Sequence, residues 1–156
     1  MSAPDAPESW LLVEAVAERL RAITIANGYR TDAGLDVVVE YADVKDEPES
    51  PQLYVFLDGD LAPKEDTAKA RTFRDYVAPV MAQAKFPISH ARAQRQAHDL
   101  MSDLNRAVPP SAPRLTSDEW GLRQLSLAIV QRPRGADFVV VELVLETTFR
   151  VYNPTT

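Results

Sequence analysis

Cysteine is missing altogether from this 156-residue chain. Disulfides, thiolate catalysis and Cys-based zinc sites are therefore excluded, and assembly in a reducing cytosol is allowed. Glycine is scarce: Gly28, Gly34, Gly59, Gly121 and Gly135 are scattered singly, so there is no phosphate-cradling loop and no dinucleotide fingerprint. The two histidines, His90 and His98, fall on or beside one expected helix without HExxH spacing, which gives no support to a zinc site. No apolar run approaches the ~20 residues of a membrane helix. The opening MSAPDAPES has neither the basic nor the apolar segment of a secretory signal. Positive charge is outweighed, at a net −6, which argues against broad or sequence-specific nucleic-acid binding. Trp10 and Trp120 are not set in a basic stripe, so stacking on single strands has no basis either. No nucleophile elbow, internal repeat or low-complexity segment occurs. The expectation is a non-enzyme with no catalytic, cofactor-binding or metal-binding residues and no cofactor.

What is present is a pattern of strands. Phe138 to Tyr152, FVVVELVLETTFRVY, places Val139, Val141, Leu143, Leu145, Thr147, Phe149 and Val151 on one face. Glu142, Glu146, Thr148 and Arg150 fall on the other. This is the signature of an antiparallel sheet covered on one face and partly wet on the other. At fifteen residues the strand far exceeds the usual ~5–6, so it must bend, break or project. The whole chain reads as a single α+β domain over 1–156, with residues 1–7 loose.

Charge is unevenly spread. Residues 40–66 carry nine acids against Lys45 and Lys64, whereas residues 69–106 carry seven bases against Asp75, Asp99 and Asp103. Two solvated faces are the plain reading of such runs. A surface complementary to itself is the sharper one, and suits head-to-tail rings with two different patches per subunit.

Asp5 or Ser9 is expected to cap a first helix reaching about Ala26, with Glu8 three residues after Asp5 in the manner of a capping box. Leu12, Val16, Leu20 and Ile23 form its buried stripe, and Asn27-Gly28 ends it. Then Ile23 to Gly34 reads ITIANGYRTDAG, in which Thr31, Asp32 and Gly34 make a second reversal. This stretch resembles the "T-x-x-N-G-Y-x-T-D-x-G" turn after the N-terminal helix of bacteriophage tail terminator, or tail-completion, proteins of long-tailed phages. Ala97 to Val108, AHDLMSDLNRAV, is similar to that family's later helix ending "L-x-x-D-[IL]-x-R-A". The order helix, strands, helix, C-terminal hairpin matches too, so the resemblance covers most of the chain. It implies a homo-oligomeric ring, commonly of six subunits, that caps the tail tube, stops its polymerisation and meets the head-tail connector. The implied place is the head-proximal end of the virion tail, after assembly in the host cytoplasm, with no membrane involved. The alternatives are another head–tail joining protein (a neck or head-completion protein), a small enzyme, or a ligand-binding domain.

Leu35 to Ala42 alternates as a half-buried strand with Leu35, Val37, Val39 and Tyr41 inward. Asp43 to Pro51 is an exposed loop. Leu53 to Leu57, LYVFL, is apolar throughout and reads as a central strand or one covered on both faces. Asp58-Gly59-Asp60 is a turn rather than the start of a calcium loop, because further spaced oxygen ligands are missing. A short helical turn is expected after Pro63. Thr72 to Ile88 fits helix and strand spacing alike. Pro79 would cost a helix interior about 3 kcal/mol but suits an edge strand, and the family resemblance also favours a strand. Ser89 is the expected cap of a second helix whose inner face holds Ala93, Ala97, Leu100, Met101, Leu104 and Val108. Pro109, Pro110 and Pro113 make 109–117 a stiff linker. Leu122 to Arg132, with Leu125, Leu127 and Ile129 inward, pairs with the last strand in a long hairpin. The resulting fold is a mostly antiparallel sheet of about five strands with two helices on one face.

Overall fold

The computed structural model describes residues 6–59, 61–63, 73–89, 91–108, 121–130 and 137–152. Their elements are α1 (Glu8–Arg21), β1 (Val37–Val38), β2 (Gln52–Leu57), β3 (Ala62–Pro63), β4 (Phe73–Pro87), α2 (Ala93–Ala107), β5 (Gly121–Val130) and β6 (Phe138–Tyr152). The sheet has six strands in the order β1-β2-β4-β6-β5, with β3 paired to β4 beyond the end of β2. Every pairing is antiparallel except β1 with β2. The α+β class and the two helices on one face are as the sequence predicts.

The centre is the β4–β6 ribbon. Its fifteen residue pairs run without a shift from Phe73 opposite Tyr152 to Pro87 opposite Phe138. The long last strand therefore does not break. It outruns β2, which ends opposite Val80, and β5, which starts opposite Thr148. Toward the helices β6 buries Val141, Leu143, Leu145, Thr147 and Phe149, and β4 buries Ala78, Val80, Ala82, Ala84 and Phe86. Small β4 side chains lie opposite larger ones of β6, such as Ala82 against Leu143, so the two strands share one buried layer. Thr147, wholly buried, donates its hydroxyl to the Ala78 carbonyl at 2.7 Å, so its own polar group is paired. Leu12, Val16, Leu20 and Ile23 close the layer from above, each contributing about 1.5–3 kcal/mol by burial.

The strand assignment for 72–88 holds, but not as an edge. β4 is flanked by β2 and β6. Pro79 is tolerated because its carbonyl accepts from the Asp58 N–H, on the side where β2 has ended and the chain turns at Asp58-Gly59. In a strand a residue's own N–H position points the same way as its carbonyl, so the missing donor faces that gap and the ladder to β6 is unharmed.

Several expected boundaries move. α1 stops at Arg21, five residues early, and is not capped by a side chain: Pro7 is the N-cap residue, Ser9 lies inside the helix, and Asp5 lies outside the described residues. Gly28, at φ 89°, closes a separate 3₁₀ turn over Ile25–Asn27 instead. The strand expected over Leu35–Ala42 shrinks to Val37–Val38, between 3₁₀ turns at Ala33–Leu35 and Tyr41–Asp43. Leu35 and Tyr41, expected inward, are 75% and 85% exposed. β2 is not covered on both faces, since Leu53 and Val55 are buried while Tyr54 and Phe56 are half-exposed. α2 begins after Arg92, not at Ser89, and Met101 is only partly buried. Leu125, expected inward, is 48% exposed. A bulge between Gln124 and Ser126 makes it the extra residue, so Leu122 faces in before the bulge and Leu127 and Ile129 face in after it. The 109–117 linker, the turn after Pro63 and His90 lie outside the described residues.

Candidate functional site

The two segments that carry the sequence resemblance are docked on each other. Asp103, on α2 and 2% exposed, accepts from the Arg30 N–H at 3.0 Å, the Thr31 N–H at 2.8 Å and the Thr31 hydroxyl at 2.8 Å. One turn later, Arg106 donates to the Gly28 carbonyl at 2.8 Å and lies over the Tyr29 ring at 4.5 Å. Within the turn, Thr24 caps Asn27, the Asn27 amide reaches the Ala22 carbonyl, and Asp32 accepts from the Ile25 N–H. Gly34 sits against the end of α1, where a Cβ would come within 2.6–2.7 Å of the Leu20, Arg21 and Ile23 carbonyls. These residues shape and lock backbone.

Next to this junction is a depression of about 540 Å³ lined by Ile25, Arg30, Leu35, Arg92, Arg95 and Asp99, among others. Arg95 and Arg30 share Asp99, at 3.2 and 3.9 Å. Asp36, also on its wall, is paired with Lys45 at 3.5 Å. Cations and carboxylates answer one another there. Among the described residues no group of three His, Cys, Asp or Glu side chains is placed to hold a metal, and His98 is exposed on α2.

Adjoining the depression at Asp36, Ser50 and Pro51 is an acidic and aromatic region. Gln52, buried in β2, uses both ends of its amide on the loop that follows β1: its oxygen accepts from the Lys45 N–H at 2.8 Å, and its nitrogen donates to the Asp43 carbonyl at 3.1 Å and to Asp36. Lys85 of β4 holds the same loop through the Asp46 carbonyl. Thus anchored, the loop exposes Asp43, Asp46, Glu47 and Glu49. Beside it Tyr41 packs edge-on to Tyr54 at 6.3 Å and Tyr54 stacks on Phe56 at 4.7 Å. A hollow of about 300 Å³ runs from these rings to Trp10 and Leu57. Burial, reinforced by Tyr41 and by the Glu40 charge, pushes the Tyr54 phenol above its ordinary range.

The sheet face turned away from the helices is mixed: Tyr54, Phe56, Met81 and Val144 share it with polar side chains. It is laced by Arg150 on Asp75 at 2.8 Å, Gln83 on Glu142 at 2.8 Å and Arg123 near Glu146 at 3.6 Å. Neither Asp103 nor Gln52 is evident as an anchor from periodicity. The one signal was a lone carboxylate on an otherwise apolar helix face, between Leu100 and Leu104. The aromatic cluster is not legible in the sequence because the alternation of 35–42 puts Tyr41 on a buried strand face.

No family model matches the sequence, and no curated protein matches it. Among solved structures, the chain is similar to one from the virion of a native gene transfer agent particle, with a TM-score of 0.58 and 22% identity over 91% of this chain and 95% of that one. A second solved chain, carrying no functional description, gives a TM-score of 0.51 at 18% identity over 96% of this chain and all of the other. At these identities the likeness establishes a shared fold.

Proposed function

We propose that the chain is a structural protein of a phage-like virion, and within it a tail terminator: a ring that caps the tail tube, halts its growth and offers a surface to the head connector. The observation that carries this reading is the fold likeness to a virion chain over nearly the whole of both molecules. The docking of Thr24–Gly34 on α2 supports it, because the two segments that resemble tail terminators are held together by Asp103 and Arg106. The protein acts by association, making and breaking no covalent bond. Its means are the edges of the sheet, the aromatic and acidic side, and the basic residues of α2.

Deleting the gene from a particle-forming genome is the direct test. The expected outcome is DNA-filled heads without tails, together with detached tails of excessive length. Tails of normal length joined to heads would overturn the proposal. For the purified protein, light scattering over a concentration series followed by imaging is expected to reveal rings, six subunits being the number the resemblance implies.

A further inference from the structure

The two ends of the sheet differ in charge and are alike in being open. At one end, β1 pairs with Leu53 and Tyr54 alone, so Val55, Phe56 and Leu57, paired with β4 on one side, have no strand on the other among the described residues. Around that short edge stand the Tyr41–Tyr54–Phe56 rings and the exposed carboxylates of Glu40, Asp43 and Asp58. At the other end, β5 is paired with β6 and with no further strand among the described residues. Its surface there presents exposed Leu125, Ser126 and Ala128, with Arg123 on the strand, 3.6 Å from Glu146.

We infer that these two ends meet between copies of the chain: the β5 edge of one subunit seats against the open β2 edge of the next. The inference rests on the ring reading above and names the contact that would close it. The occupant is a second copy because each end supplies what the other lacks. An acidic side faces Arg123, an arrangement that sets register and disfavours contact of two acidic ends. Leu125 lies on the face away from the helices, as do Tyr54 and Phe56, so a sheet continued from edge to edge places an exposed aliphatic side chain beside an exposed aromatic patch. Adding a strand to an open edge supplies main-chain hydrogen bonds, and the neighbouring hollow supplies room for side chains. Because the two ends lie at opposite limits of the strand order, the contact is heterologous and repeats from copy to copy until it closes.

The test uses the full-length protein with Tyr41→Glu at one end and Leu125→Glu at the other. Both positions are exposed, and far-ultraviolet circular dichroism checks folding; Asp58→Lys and Ala128→Glu replace either variant if it does not fold. The expected result is that each variant needs at least tenfold more protein than wild type to form rings. An equimolar mixture of the two should give dimers and no rings, since only one intact junction can form between an unaltered β2 edge and an unaltered β5 edge. Variants that assemble like wild type, or a mixture that stays monomeric while wild type forms rings, would overturn this contact and leave the ring standing. A wild-type protein that is monomeric at every concentration would remove the ring itself and this contact with it.

Discussion

Asp103 joins α2 to residues more than seventy positions earlier in the chain. A carboxylate taken out of water is tolerated only when its lone pairs are used, and here three donors from Arg30 and Thr31 use them. Asp103→Ala leaves those donors buried and unanswered. The expected loss is about 3 kcal/mol, read as a fall of about 9 °C in the melting temperature. An unchanged melting temperature would mean that the junction is not held by this group. Gln52 does the same work with a neutral amide, at the root of the acidic loop.

At the scale of elements, β5 shows how one residue governs a face. Because strand side chains alternate, an insertion normally turns everything beyond it to the wrong side. The bulge at Leu125 prevents this by leaving one residue out of the pairing, so that Gln124 opposes Leu145 and Ser126 opposes Val144. Deleting Leu125 should therefore be tolerated to within about 1 kcal/mol, since every other pair remains. Deleting Leu127 instead moves Ala128 and Val130 inward and Ile129 outward, and should leave little folded protein. Denaturant melts of the two deletions decide the point, and equal loss would contradict the bulge. The paired β4–β6 ribbon makes the same argument from the other side: with no shift over fifteen pairs, alternation persists along its whole length.

For the molecule as a whole, charge is sorted in space as well as in sequence. The acids of 40–58 gather at the β1–β2 end, whereas Lys85 lies on the central strand β4 and Arg92, Arg95 and Arg106 lie on or beside helix α2. If the opposed ends meet, much of their attraction acts across wet surface and is screened once the Debye length falls from about 10 Å at 0.1 M salt to about 3 Å at 1 M. Rings formed at low salt are thus expected to loosen as salt rises, measurable as falling mass by light scattering. Rings of constant mass across that range would assign the contact to apolar packing alone.

Composition and alternation by themselves determined the α+β class, the one-sided sheet, the inner face of β6 and the helical stripe of Leu12, Val16 and Leu20, because period-2 and 3.6-residue patterns are local properties of the chain. They also determined the turn at Gly28, where a left-handed residue is needed. What only the tertiary structure decided was which polar residues go inside and where strands stop. Asp103 and Gln52 are buried because partners arrive from residues 30–31 and 43–45, which no window around either residue contains. Leu35 and Tyr41 are exposed because two 3₁₀ turns cut their strand to two residues, although the alternation there is as regular as in β6. Pro79 sits in a central strand because β2 happens to end beside it. In each case the outcome depends on a neighbour brought from elsewhere in the chain, and local pattern carries no record of that neighbour.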